Sequence, residues 1–267
     1  MYINQSKNVK HQYSSDKNLA ARINLHAKHS TNKQGFFPWL FEHYQFSNSG
    51  TILELGCGNA MQWKGRTSKL PHGSSLILSD FSHGMLEAAK ENLSPIQDNI
   101  SFMQIDIQDI PFPAGAFDTI IANHMLYYVP DIDSALAQVS RVLKKDGRFY
   151  ATTISNNGGG IGEYIRDVMK KFGVDASEYA QNIPFNIENG SDILGRHFAS
   201  VKRYDYVDSL AITETNDLID WLQSSMFMSG FGEESIRELY EYFENIRVAQ
   251  GSINIPKETC LFIQQNQ

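Results

Sequence analysis

Two glycines one residue apart, Gly56 and Gly58, end a short apolar run that carries an acid, Glu54, in the stretch TILELGCGNAM from Thr51 to Met61. At the carboxyl end of a buried strand, such a pair lets the backbone turn tightly and lets a ligand approach where a Cβ would obstruct it. A second acid, Asp80, closes the next apolar run, LILSD, 26 positions after Glu54. A carboxylate there can accept hydrogen bonds from two vicinal ribose hydroxyls. A third, Asp106, follows SFMQI and can accept from an adenine amino group while the Ile107 N–H serves a ring nitrogen. Asp109, three residues on, is its rival but lies closer to a surface turn. The chemistry on offer is a nucleoside pocket. His124, just after a fourth apolar run, adds either an imidazole that takes a proton near neutral pH or a strand-end histidine held by hydrogen bonds.

These residues act together only if strand ends converge. Apolar runs at Thr51 to Leu55, Ser75 to Asp80, Ile100 to Ile105, Phe117 to Ala122 and Arg148 to Ile154 alternate with helical patterns, the signature of a parallel sheet covered on both faces. Helices are expected near Asn59, near Ser82 as N-cap, and near Asp133 as N-cap of a segment ended by Lys144, Lys145 and Gly147. After the break NNGGGIG (Asn156 to Gly162), helices are expected over Glu163 to Phe172, Asp217 to Met228 and Glu233 to Val248. Strands return at Val201 to Val207, whose inward face the pattern leaves open, and at Glu258 to Gln264. Ahead of the first strand, two helical pieces flank Ser30 to Gly35, with Pro38 in the first turn of the second. They form a candidate lid over the strand ends.

ELGCGNA resembles the first motif of class I S-adenosylmethionine (SAM)-dependent methyltransferases, and FPAGAFDTIIANHMLYYVPD resembles the fourth-strand region of their small-molecule members. With LKKDGRFY, the resemblance runs over roughly residues 51 to 154 and more loosely to the end. It implies an α/β fold: a Rossmann-like, doubly wound, seven-stranded mixed sheet whose last strand lies antiparallel between its neighbours. It also implies a lid segment at 1–46 and a methyltransferase domain at 47–267 with helical insertions at about 156–195 and 213–249. SAM would be the methyl donor and S-adenosylhomocysteine (SAH) the product. Residue by residue, it assigns Glu54, Gly56 and Gly58 to the wall around methionine and ribose and Asp80 to the ribose hydroxyls. Phe81 and Met85 would pack on adenine, Asp106 and Ile107 hold its edge, and the Asn123 backbone face the amino-acid end. His124 becomes the candidate base, and Tyr127 and Tyr128 candidates for the acceptor pocket. Many family members carry glycine where Ala60 stands, which weakens the expectation of a close approach there.

Composition narrows the partners. A formal charge of -7 offers no global attraction to a polyanion, so nucleic acid is disfavoured and a small-molecule acceptor expected. No apolar run is long enough for a bilayer, and the polar start MYINQSKNVKHQ lacks a signal-peptide core, which points to a cytoplasmic protein with no membrane partner. Two cysteines give no metal spacing, and His26 and His29 share a helix face without identifiable further ligands, so no metal is assigned. In the lid, Arg22 or His26 could instead pair with the SAM carboxylate. Phe36, Phe37, Trp39, Trp221 and Phe227 fit either an apolar acceptor pocket or the core. Two rivals remain. An NAD-dependent oxidoreductase shares the strand, glycine turn and later acid but needs a third glycine three residues after Gly58, where Met61 stands. A noncatalytic SAM-binding sensor or assembly module would keep the pocket without turnover.

Overall fold

The computed structural model describes residues 17–173, 182–224 and 232–266. Phe227 and the end of the helix expected to reach Met228 lie outside them. Five strands, β1 (Thr51–Leu55), β2 (Ser75–Asp80), β3 (Ile100–Gln104), β4 (Phe117–Asn123) and β5 (Leu143–Ile154), run parallel. Strands β6 (Ser200–Ile212) and β7 (Ile253–Gln265) complete a seven-stranded sheet in the order β3-β2-β1-β4-β5-β7-β6, with β7 antiparallel to both neighbours. Alternation along the strands sorts the core into two faces: Leu53, Leu55, Phe149 and Ala151 pack on one, Ile52 and Tyr150 on the other. Helices α1 (Lys17–His29) and α2 (Phe36–His43) precede the sheet. α3 (His83–Asn92) follows β2, and α4 (Ile132–Val142) follows β4.

The segment after β1 departs from the expected helix. From Ala60 to Leu70 the chain makes successive i to i+3 turns, with Trp63 N–H on Ala60 O at 2.9 Å and Arg66 N–H on Trp63 O at 2.8 Å. Ala60 and Gly65 hold left-handed φ of 56° and 71°, which no α-helix tolerates. Capping differs too. Ser82 caps α3 as expected, but α4 is capped by Asp131, which accepts from both the N–H and the hydroxyl of Ser134, while Asp133 faces His197 at 3.0 Å. Nor do Lys144, Lys145 and Gly147 end α4: the chain turns extended at Leu143, which is buried and pairs with Phe117, and all three lie in β5.

Strands β6 and β7 run well past their expected limits, and this shapes the site. β5 pairs with β7 only from Thr259 onward, so the six rungs from Val207↔Glu258 to Ile212↔Ile253 form a two-stranded ribbon projecting beyond the carboxyl end of β5. Pro256 is tolerated within it because Ser209 opposite turns its N–H and C=O outward to Thr31, leaving a rung without ladder hydrogen bonds. On β6 the even-numbered Tyr206, Leu210 and Ile212 face inward, and Val207 is 83% exposed. Around the ribbon, α1, α5 (Ile161–Lys171), α7 (Thr215–Gln223) and α8 (Glu233–Gln250) bury a third core that includes Leu25, Ile165, Leu218, Phe243, Leu210 and Ile253. The short α6 (Gly190–Gly195) packs Leu194 into the main sheet core. No helix among the described residues is long and apolar enough to cross a membrane.

Where the ribbon loses β5, the glycine loop Gly158 to Gly160 takes its place, Gly159 O accepting from Glu258 N at 2.9 Å. A Cβ on Gly160, whose φ is 78°, would lie 2.7 Å from Pro256 O. Gly160→Ala therefore combines left-handed strain with a backbone clash, and a loss of about 2–4 kcal/mol of stability is expected. Denaturant unfolding measures it; a midpoint unchanged from the parent would mean that the loop does not pin the ribbon.

Candidate active site

The carboxyl ends of β1, β2, β3 and β4 bring the sequence-predicted residues to one edge of the sheet. Gly56 and Gly58 take φ of 70° and 54°, so both need the freedom the sequence supplies. A Cβ on Gly56 would meet the Met125 side chain at 2.9 Å, and one on Gly58 would meet Leu19 Cδ2 at 2.8 Å. Residues from the segment after β4 and from α1 thus cover the turn. Ala60 carries the same left-handed backbone despite its Cβ and is fully buried.

Asp80 sits between the turn and the start of α3. One carboxylate oxygen accepts from Gly58 N at 2.9 Å, the other from Ser82 N at 2.8 Å. The Phe81 N–H also acts on this carboxylate, so three backbone donors share its roughly four acceptor positions and acceptor capacity remains for a hydroxyl. Burial raises its carboxyl above the usual range, against the pull of these backbone donors. Asp106, past the end of β3, accepts from the Gln108 backbone and side chain, and Ile107 is buried behind it, whereas Asp109 is exposed. Phe81 is half-buried and Met85 is buried at the start of α3.

Glu54 points to the opposite sheet face from Leu53 and Leu55 and is 2% exposed. Its carboxyl accepts from Gln62 Nε2 at 2.9 Å and from the Trp63 indole N–H, and burial raises its pKa to about 8. Both of its oxygens are therefore occupied by the chain's own donors. Gln62 in turn accepts from Asn123 Nδ2, which also donates to the Tyr44 hydroxyl, each at 2.8 Å. Asn123 Oδ1 is buried without a hydrogen-bond partner among the described residues. Sequence reading missed Gln62, Trp63 and Tyr44. The first two lie directly behind the glycine turn, where an expected helix hid them, and Tyr44 carried no signal.

His124 follows with φ of 52°, its N–H on Thr152 O and Oγ1 at 3.2 and 3.0 Å. Its ring centroid lies 5.3 Å from Phe36 and 6.4 Å from Tyr127. Burial, then the charge of Lys257, lowers its pKa to about 4. Tyr127 and Tyr128 meet edge to face at 4.6 Å, Tyr127 within the core. Phe36, Phe37 and Trp39 pack on the second sheet face, and Trp221 packs against the third core. On α1, Arg22 donates to Ser224 O and Oγ, whereas His29 meets Asp217 Oδ2 at 2.8 Å, a carboxylate also held by Lys28 and Asn24. Among the described residues no group of three or more His, Cys, Asp or Glu could hold a metal ion.

The strand order departs from the 3-2-1-4-5-6 of dinucleotide-binding domains by the antiparallel β7 inserted beside β5. A methyltransferase domain model matches residues 53–151, which hold the end of β1, all of β2 to β4 and most of β5. That segment is a methyltransferase domain, similar to those of class I SAM-dependent methyltransferases. Among its relatives, a demethylmenaquinone methyltransferase of Lactococcus lactis is 30% identical over 164 residues, 60% of this chain and 58% of that protein. The matches span between about a third and three-fifths of the length of the first curated relatives. In fold, the YcgJ protein of Bacillus subtilis superposes with a TM-score of 0.58 at 14% identity, covering 86% of this chain and 97% of that one. The [4+2]-cyclase SpnF gives 0.61 at 12% identity, covering 98% and 96%. The donor of such domains fits this edge: Asp80 keeps acceptor capacity beyond its backbone donors, and Asn123 Oδ1 has no donor among the described residues.

Proposed function

We propose that this protein binds SAM across the carboxyl ends of β1 to β4 and transfers its methyl group to a small-molecule acceptor held beneath α1 and α2. The observation that carries this is Asp80, clamped between the Gly58 and Ser82 amides at the end of β2 with acceptor capacity to spare for a ribose hydroxyl. When bound, SAM supplies a methyl group already activated by its sulfonium. Asp80 then grips the ribose, and Asp106 and Ile107 the adenine edge. Leu19 and Met125 keep water from the glycine turn. SAM held there would give its methyl carbon to the acceptor's electron pair and keep the carbon–sulfur pair as a neutral thioether, and a hydroxyl acceptor would lose its proton to a ring nitrogen of His124. The aromatic rings of Phe36, Tyr127 and Tyr206 suit a flat acceptor, in keeping with the Lactococcus relative, whose name gives demethylmenaquinone as its substrate. Fold alone would not carry this reading, since SpnF shares the fold and is a cyclase.

Calorimetric titration with SAM, SAH and NAD tests the donor: saturable binding of both sulfur nucleosides is expected, and NAD binding without either would overturn the reading. Methyl transfer is followed by mass spectrometry over an acceptor panel that includes hydroxylated aromatics. His124→Ala should leave SAH affinity within about twofold and slow transfer on the order of 100-fold, the usual contribution of a proton-transfer group. An unaltered rate would remove His124 from that role.

A further inference from the structure

The projecting ribbon brings an unbalanced ion pair to the acceptor side of the site. Lys257 on β7 and Asp208 on β6 meet at 2.6 Å, with side-chain exposures of 9% and 0%. Asp208 is over-supplied with donors: Ser30 Oγ at 2.6 Å, Asn32 N at 3.0 Å and Ser209 N at 2.8 Å also reach its carboxylate. Lys257 is the reverse. Among the described residues its one hydrogen bond is to Asp208, and its only other neighbour of note is the Tyr206 ring, 5.2 Å from Nζ. Two ammonium N–H groups are left in a nearly closed environment, where unmade hydrogen bonds are costly.

A second unpartnered group lies within reach of the Lys257 charge: His26 Nδ1, on α1, is buried with no hydrogen-bond partner among the described residues. The charge of Lys257 reaches both His26 and His124, helping burial hold the first near 3 and the second near 4; His124 and Arg22 also act on His26, and only Asp208 opposes them. Both imidazoles are therefore neutral at physiological pH. A chain of ring contacts runs from Tyr127 to His124 to Phe36 to Tyr206, with centroid spacings of 6.4, 5.3 and 5.2 Å. Buried N–H groups without acceptors, beside neutral imidazoles and aromatic rings, ask for a ligand oxygen that carries negative charge on a flat frame.

We propose that Lys257 and His26 form an oxyanion subsite for the methyl acceptor, which takes a phenol or enol as its phenolate or enolate. This rests on the methyltransferase reading and deepens it. The acceptor O–H bond breaks, its proton passes to a ring nitrogen of His124 and on to solvent, and the electron pair stays on the oxygen held by the ammonium. That pair supplies the attack on the methyl carbon, from the oxygen or from a conjugated carbon. Lys257 eases the step by stabilising the charge left behind, so a weakly basic imidazole suffices.

The test uses 4-nitrophenol as a probe with the full-length protein saturated in SAH, following the yellow phenolate band against pH. The bound probe is expected to ionise at least about one pH unit below the free one, a tenfold preference for the oxyanion. Lys257→Met should abolish the shift while keeping SAH affinity, and His26→Leu should reduce it. Should Lys257→Met fail to fold because Asp208 loses its counter-charge, Lys257→Met with Asp208→Asn removes both charges and should give the same loss. A bound probe ionising at the free value, absence of SAH-dependent binding, or a full shift in the Lys257 variants would overturn the subsite while leaving the methyltransferase reading in place. Absence of SAH binding itself would sink that reading and the subsite with it.

Discussion

Replacing Asp80 by alanine is expected to weaken SAH and SAM binding by about 1–3 kcal/mol through lost charge-assisted hydrogen bonds. That corresponds to roughly 5- to 150-fold in the dissociation constant. Two losses combine. The ribose hydroxyls lose their acceptor, and the Gly58 and Ser82 amides lose theirs, so the glycine turn and the entry to α3 are freed from each other. Asp80→Asn separates them: one carbonyl oxygen still accepts from a backbone amide, and the charge is gone. An affinity between those of the parent and the alanine variant is expected, with thermal stability closer to the parent. Asp109→Ala, at the exposed rival acid, should bind SAH as the parent does. Calorimetry on the three variants decides, and unchanged SAH affinity in a folded Asp80→Ala protein would take Asp80 out of its assigned role.

What made Asp80 legible was local: an apolar strand, a turn residue and a cap within a few positions of one another. The same holds for β1, β2 and β4, whose limits follow from alternation and glycine punctuation. Reading failed where geometry depends on distant partners. Ala60 gives no sign of a left-handed backbone, so the turns after β1 were expected to be helical. Asp131 and Asp133 are equivalent as caps until Ser134 chooses the first and His197 engages the second. β7 begins at Ile253 rather than at the expected Glu258 and runs through Pro256, because the rung Pro256 occupies needs no N–H. Hidden with that ribbon was the Lys257–Asp208 pair, whose members stand 49 positions apart. The glycine turn and the three strand-end acids could be read from spacing, whereas the acceptor side depends on α1, β6 and β7 meeting in space.

A fluorescence titration of the ligand-free protein is expected to show a transition near pH 8, reporting Glu54 through the Trp63 indole that donates to it. Burial dominates the raised pKa, and the nearby charge of Asp80 adds to it. Donation from Trp63 and Gln62 opposes both. Because the folded pKa exceeds the ordinary carboxyl value of 4.5, Glu54's contribution to stability is complete below about pH 4.5 and is lost as pH rises toward 8. The steepest loss is about 1.4 kcal/mol per pH unit. Glu54→Gln keeps the volume and removes the titration, so its melting temperature should lack this component of decline between pH 5 and 8 and its fluorescence should lack the transition. A transition that survives in Glu54→Gln would assign it to another group, and one near pH 4.5 in the parent would mean that the two donors outweigh burial. The coupling extends to the donor. A sulfonium beside this carboxyl favours its ionised form, so SAM binding at pH 7 should release protons that neutral-sulfur SAH does not. Calorimetry in buffers of different ionisation enthalpy separates the two ligands, and equal proton release from both would place the sulfonium too far from Glu54 to feel it.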